Sequence, residues 1–325
     1  MNKTLDPNCV AVVGLGLLGR GIAACFLGHG FKLVALARNE QSHSEARSHI
    51  EQMVGELVEF GGFNPRLRAE WASRYLPTTD YSALRECSLV IESVIEDIAI
   101  KQTVFDSIEA NVSAEAIIAS NSSAIPISQL QPARRHPERF LSMHWAEPAH
   151  ATRFMEIIRG QMTAESTVKT MEALAKRLGK EPSILQKEVP GFIVNRIGYA
   201  MYREALSLLE AGVADVETID RSMRNALGLW ASVCGPFRWV DITGGPELYA
   251  RAFQHVFPSL SKSEELPPAI QKLAATGARG IINGRGFYNY TPEEGRRWEE
   301  LYRRHAWRVS QMQNEYFPSK DEKRA

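Results

Sequence analysis

No stretch of this sequence is apolar for long enough to cross a membrane. The longest runs, such as Phe31–Ala37 and Ala116–Ala119, fall far short of the about 20 residues that a helical span needs. An excess of one charge is also missing. Lys+Arg and Asp+Glu number 38 each, so the formal net charge is zero, which gives no bulk attraction to nucleic acid or to an anionic membrane; neither partner is expected. Cysteine is scarce. Cys9, Cys25, Cys87 and Cys234 show no metal-ligand spacing, and most lie in or beside apolar runs, which predicts buried free thiols and no metal site. The opening residues, MNKTLDPNCVAVVG, lack the apolar core of a signal peptide. A cytoplasmic location fits these absences.

What is present is a chain of 325 residues, 44% hydrophobic, enough for about two domains with sizeable cores. Cys9–Val13 is a short valine-rich run stopped by Gly14, and apolar residues recur at helical spacing from Leu17 to Leu27. Phe31–Ala37 reads as a second strand, and strand–helix–strand within about thirty residues is a βαβ unit. A longer helix is expected over Ser44–Phe60, closed by GGFNPR. Ser88–Val94 and Ala116–Ala119 read as buried parallel strands, with a helix at Ala99–Glu109 between them. Leu141–His144 and Phe154–Ile158 read as two more strands, followed by a helix from Ser166 to Leu178. After Val189-Pro190-Gly191 strand patterns almost vanish, and Phe192–Ala211, Val216–Leu227 and Glu293–Tyr316 are helical. On the last of these, Trp298, Leu301, Tyr302, His305 and Val309 fall near one face. The expectation is an α/β, Rossmann-type doubly wound parallel sheet over residues 1–188, then an all-helical domain over 189–325. Ser319–Ala325 is expected to be a frayed polar tail.

The first motif that carries chemistry is Gly14-Leu15-Gly16-Leu17-Leu18-Gly19. A pyrophosphate must touch backbone amides at a helix N-terminus, where side chains would block it. Gly14 supplies the tight turn, Gly16 the close approach, and Gly19 the packing of helix on strand. The pattern follows a strand, opens a helix and precedes a second strand, which predicts a dinucleotide site. The end of the second strand then bears on the choice of cofactor. A carboxylate there usually accepts from the ribose hydroxyls of NAD; this chain has Ala37, then Arg38 and Asn39. Arg38 fits a 2′-phosphate, so NAD or NADP is expected, with NADP favoured. An Arg that only faces solvent or stacks on adenine would look the same in sequence.

Asn121, Ser122 and Ser123 lie just beyond a buried strand, the edge where open α/β sheets bind ligands. His144 also follows a short strand, and Glu156 lies twelve residues on. A histidine backed by a carboxylate suits proton removal from an alcohol, but spacing alone does not choose His144 among the eight histidines.

Taken together, SNSSA at 120–124, HWAEP at 144–148, Glu156, PGFIVNR at Pro190–Arg196, IEDIAIK at 95–101 and the late GRGFYNY string resemble the L-3-hydroxyacyl-CoA dehydrogenases and their lambda-crystallin-like relatives. The likeness runs from about residue 9 to 290. It implies hydride transfer between NAD(P) and the 3-hydroxyl of a 3-hydroxyacyl-CoA or a free 3-hydroxy acid. It also implies His144 as general base, Glu156 as its orienting partner, Ser123 and Asn195 holding the reacting oxygen, and Glu96 and Lys101 lining the cofactor site, with Ser123 adjoining it. A homodimer through the helical domain is implied as well. There are departures. Glu147 replaces the family's usual Asn, Ile282 stands where a lysine is common, and Ser44–Phe60 has no lysine but carries Glu45, Glu51, Glu56 and Glu59, a poor match for the phosphates of CoA. Arg66, Arg68 or backbone amides would be the alternative hold on CoA. A non-catalytic crystallin-like structural protein or a cofactor sensor is the alternative reading of the whole chain.

Overall fold

The computed structural model describes residues 9–318; the tail from Ser319 lies outside them. Eight strands form one sheet: β1 (Cys9–Val13), β2 (Lys32–Leu36), β3 (Tyr75–Thr78), β4 (Leu89–Glu92), β5 (Ile117–Ser120), β6 (Phe140–His144), β7 (Phe154–Arg159) and β8 (Glu181–Leu185). Their spatial order is β3-β2-β1-β4-β5-β6-β7-β8, which places the reversal of strand order at β1/β4, the crevice where such sheets bind ligands. All neighbouring pairs are parallel except β6 and β7, which are antiparallel.

The buried runs become strands because both faces are covered. Ala11, Val13, Val34, Leu36, Val90 and Ile118 pack with Phe105, Ile108, Leu130 and Phe140 in one core cluster. Helix α1 (Leu17–Gly28) buries Ile22, Phe26 and Leu27, and α2 (Glu40–Glu59) buries Ile50, Val54 and Leu57. Helix α2 starts four residues earlier than the apolar periodicity predicts. Asn39 is its cap, with its side chain accepting from the Ser42 amide at 2.9 Å, a polar signal that hydrophobic spacing does not register. Helix α3 (Ile98–Glu109) is capped in the same way by Asp97, which accepts from the Ile100 amide. Helix α4 (Glu165–Arg177) precedes β8. Strands β3 and β8 were not expected from the sequence. Each sits at a sheet edge and contains a proline, Pro77 or Pro182, as only edge strands tolerate.

The chain divides into two compact units, the first ending at Asn195 and the second starting at Arg196. The second is helical: it holds most of α5 (Val194–Glu210), then α6 (Val216–Ser222), a π-helical turn at Met223–Leu227, α7 (Gly228–Ala231), α8 (Pro236–Ile242), α9 (Gly245–Val256), α10 (Pro268–Ala275) and α11 (Pro292–Tyr316). Helix α11 opens with a reciprocal Thr291–Glu294 capping box. Among the described residues of this unit only Gly295, Trp307 and Ser310 are buried. No described helix is long and apolar enough to cross a membrane. All four cysteines are free; Cys25 and Cys87 are buried, whereas Cys9 and Cys234 are only partly so.

Candidate active site

The glycine loop is built as a backbone-only cradle. Gly14 has φ +98°, and a Cβ there would lie 2.5 Å from the Ser93 carbonyl oxygen, so the turn admits no side chain. A Cβ on Gly19 would lie 1.9 Å from the Gly14 oxygen; here the first turn of α1 rests on the loop itself. Gly16 is different. It is the N-cap of α1, has no side-chain cap and would meet nothing within 4 Å. Its surroundings leave room for an anion at the helix N-terminus. Leu15 and Leu18 are half-buried beside it and Leu17 is exposed. At the end of β2, Ala37 is buried, Arg38 is exposed, and the side chain of Asn39 is occupied in capping α2. These residues fit a dinucleotide.

Beyond β4 and β5 lies a buried ionic knot. Glu92 is fully buried and accepts from the Lys101 ammonium at 2.7 and 3.0 Å, from Ser120 Oγ at 2.7 Å and from the Val94 amide at 2.6 Å. Lys101, also fully buried, reaches Glu96 Oε2 at 3.4 Å. Glu96 in turn accepts from the amides of Ser123 (3.0 Å), Ala124 (2.8 Å) and Ile125 (3.1 Å) and from the Ser122 hydroxyl. Burial works to raise the Glu96 pKa, but the Ser122 hydroxyl, the loop amides and Lys101 outweigh it and hold the carboxyl below its ordinary value. The SNSSA loop is therefore folded around one carboxylate. Asn121 fixes its other side, giving a hydrogen bond to Ser93 Oγ (3.1 Å) and accepting the Trp145 amide (3.1 Å).

The antiparallel pairing of β6 and β7 puts His144 directly opposite Glu156. A separation of twelve residues thus becomes a cross-strand pair. His144 Nδ1 lies 2.8 Å from Glu156 Oε2, and His144 Nε2 lies 3.2 Å from Ser123 Oγ. The imidazole is 4% exposed, Glu156 1%, and the rings of Phe154 and Phe192 pack on the histidine. The second carboxylate oxygen of Glu156 accepts the amides of Ile193 (3.1 Å) and Val194 (3.0 Å), at the start of α5, where the helix dipole favours an anion. Asn195 gives its side-chain N–H to the Ser123 carbonyl at 3.2 Å. Ser123, His144, Glu156 and Asn195 are therefore together, while the fully buried Lys101 is ion-paired with Glu92 and Glu96.

Glu147, three residues beyond His144, feels the charges of Arg20 and Glu56. Burial raises its pKa, Arg20 opposes that, and Glu56 adds to it. Glu56 itself is turned inward, with His150 Nε2 at 2.9 Å, so one of the four acids expected to repel CoA from α2 is not displayed on the helix surface. Arg68 binds the Gly55 carbonyl.

With this geometry in place, comparison with known proteins is informative. The model of the 3-hydroxyacyl-CoA dehydrogenase NAD binding domain matches residues 9–189, and that of the 3-hydroxyacyl-CoA dehydrogenase C-terminal domain matches 191–290. The chain belongs to the 3-hydroxyacyl-CoA dehydrogenase family. It is an NAD-dependent dehydrogenase by that membership. A 5-formyl-3-hydroxy-2-methylpyridine 4-carboxylate 5-dehydrogenase of Mesorhizobium japonicum is 34% identical over 286 residues, covering 88% of this chain and 91% of that protein. A solved structure of such an enzyme, described as an NAD+-dependent dismutase, superimposes with TM-score 0.86 at 32% identity, covering 94% and 97% of the two chains. A (S)-3-hydroxybutyryl-CoA dehydrogenase of Ralstonia eutropha superimposes with TM-score 0.72 at 30% identity, covering 88% and 100%. The alpha subunit of the fatty acid oxidation complex of Ectopseudomonas oleovorans is 32% identical, but the chain spans only 40% of its length.

Two residues of this family member's site escaped the sequence reading. Glu92 was visible as a lone charge inside the apolar run SLVIES, an unusual placement unless paired. Phe192 was not visible: it is fully buried against His144 with φ +54°, a conformation costly for a bulky side chain.

Proposed function

We propose that the chain catalyses reversible transfer of hydride between NAD(P) and the 3-hydroxyl of a 3-hydroxyacyl compound or free 3-hydroxy acid. The observation that carries this reading is the chain of contacts Ser123 Oγ–His144 Nε2–His144 Nδ1–Glu156, held by the Ile193 and Val194 amides. When bound, the nicotinamide takes up or returns the hydride. His144 takes the hydroxyl proton on Nε2 while Glu156 stabilises the imidazolium from behind. Ser123 orients the reacting oxygen by donating to it, and Asn195, by tying the Ser123 carbonyl, keeps that hydroxyl in place. Packing alone does not call for this set, which disfavours a purely structural or sensing role. Turnover of 3-hydroxybutyryl-CoA and of 3-hydroxybutyrate, followed by reduced-nicotinamide absorbance, tests the reading and the substrate handle together. The exposed surface of α2 offers no lysine, so the thioester is expected to be favoured by less than about tenfold, roughly the worth of one or two helix-surface charges. A thioester preference of several orders of magnitude would assign a CoA site to this chain; no turnover of any 3-hydroxy compound would remove the assignment altogether.

Exposed Arg38 after Ala37 supports acceptance of the 2′-phosphate of NADP(H) at least as readily as NAD(H). Ala37→Asp with Arg38→Gln is expected to shift the Kd ratio toward NAD(H) by about tenfold or more, since one charge-assisted contact is lost and one repulsion gained. If Arg38→Gln leaves both affinities unchanged, Arg38 does not read the cofactor.

A homodimer through the helical unit is part of the same reading. That unit buries three described residues, while Tyr199, Leu229, Phe237, Ile242 and Leu266 are each 60% exposed or more. So much open apolar surface marks an interaction face, and a second copy offers the matching one. Sedimentation equilibrium should give twice the chain mass at micromolar concentration; a monomer there would reject the dimer.

A further inference from the structure

The crevice side of the sheet holds the candidate site. At the other ends of the same strands, Cys9 opens β1 and Cys87 immediately precedes Ser88 and β4. Their sulfur atoms are 3.5 Å apart although they lie 78 positions apart in the chain, and the Ser88 amide binds the Cys9 carbonyl at 3.2 Å, fixing the two backbones side by side. Cys9 is partly open to solvent; Cys87 is 2% exposed. Lys32 stands in register with Cys9 on the neighbouring strand β2, and Glu86 adjoins Cys87. The hydrogen bond from Cys87 pulls the Cys9 thiol down to about 7 against the effect of burial, with help from Lys32 and opposition from Glu86. The same bond, together with burial, pushes Cys87 up. One accessible thiolate and one adjacent, protonated, sheltered thiol is the arrangement of an attacking and a resolving cysteine.

We propose that Cys9 and Cys87 are a reversible thiol–disulfide modification site, oxidised by peroxides and restored by small-molecule thiols. The Cys9 thiolate attacks one peroxide oxygen; the O–O bond breaks, an S–O bond forms, and hydroxide leaves to take up a proton as water. The Cys87 sulfur then displaces hydroxide from the Cys9 sulfenic acid, forming the S–S bond, and its proton leaves in the second water. Two thiols lose two electrons and one peroxide gains them. The sulfurs must close from 3.5 Å to about 2.05 Å, which side-chain rotation between neighbouring backbones can supply. The cross-link would join β1 and β4 at their N-terminal ends, far along the strands from Gly14 and Ser93, and would shorten the free chain of the unfolded state. A reducing compartment would keep it open except under oxidative load.

The full chain, treated with a several-fold molar excess of hydrogen peroxide, so that a sulfenic acid left unresolved can pass on to the sulfinic acid, and then alkylated under denaturing conditions, is the test. The expected product has lost two hydrogens, leaves Cys25 and Cys234 alkylated, and yields a linked Cys9–Cys87 peptide on digestion. Dithiothreitol should reverse it, and oxidation should raise Tm by about 5–10 °C, as for a long closed loop in a domain of this size. Cys87→Ser should lose the linkage and the Tm response, with Cys9 passing to sulfinic acid instead, while Cys234→Ser should keep both. If wild type ends as a Cys9 sulfinic acid with Cys87 still alkylated, as an intermolecular dimer through Cys234, or unchanged in mass, the proposal is overturned.

Discussion

Replacing His144 with Gln is expected to lower kcat by about two to four orders of magnitude, the usual worth of a positioned general base, with nicotinamide affinity kept within about twofold. Glutamine fills the space between Phe154 and Phe192 and can still accept from Ser123, but it cannot hold the proton. Glu156→Gln should fall nearly as far, for a different reason. Its amide oxygen can still receive the Ile193 and Val194 amides, which leaves its NH2 facing His144 Nδ1. That forces Nδ1 to accept and puts the ring proton on Nε2, the nitrogen that faces Ser123 and must be free to take a proton. The double variant should be no slower than His144→Gln alone, because both lesions disable one proton relay. Stopped-flow single turnover on the best substrate measures all three. Near wild-type turnover by His144→Gln, or a double variant slower by the product of the two losses, would remove His144 from the chemistry.

What the sequence made legible follows from how each feature is encoded. Strands β1, β2, β4 and β5 are buried on both faces, so they stand out as continuous apolar runs, and the glycine spacing marks the turn between the first two. Edge strands β3 and β8 are half-exposed and broken by proline, so their pairing is set by the neighbouring strand rather than by their own pattern. The proximity of His144 and Glu156 is a matter of register: a residue count of twelve says nothing until β6 and β7 are known to run antiparallel with those two opposed. The role of Glu96 was visible only through likeness to relatives, because three of the groups it binds are backbone amides, which every residue carries. The face of α11 bearing Trp298, Leu301 and Tyr302 was legible as apolar, yet those residues are 52–53% exposed in the single chain, and Trp307 is the aromatic that becomes buried. Helical periodicity reports a face that seeks cover and is silent on whether the cover is the same chain.

The glycine loop gives the sharpest separation between folding and binding. Gly19→Ala places a methyl group where the Gly14 carbonyl oxygen stands, 1.9 Å away. Backbone must move on both sides, and Gly14, already at φ +98° and pressed against Ser93, has no room to yield. Overpacking of this kind costs about 1–3 kcal/mol and sometimes more, a large share of a typical stability of about 5–15 kcal/mol. Gly19→Ala should therefore lower Tm by about 5 °C or more and abolish measurable cofactor binding. Gly16→Ala should behave in the opposite way. Its backbone, at φ −70°, is open to any residue, and the added methyl meets nothing within 4 Å, so Tm should stay within about 1 °C. The methyl would project into the space an approaching pyrophosphate needs, and the same overpacking cost, now charged to the complex, weakens binding by about 10–100-fold. Thermal melts with and without NAD(H), together with fluorescence titration of the cofactor, separate the two. If Gly16→Ala binds NAD(H) as tightly as the wild type, the dinucleotide does not pass over Gly16, and its approach to the N-terminus of α1 must be abandoned.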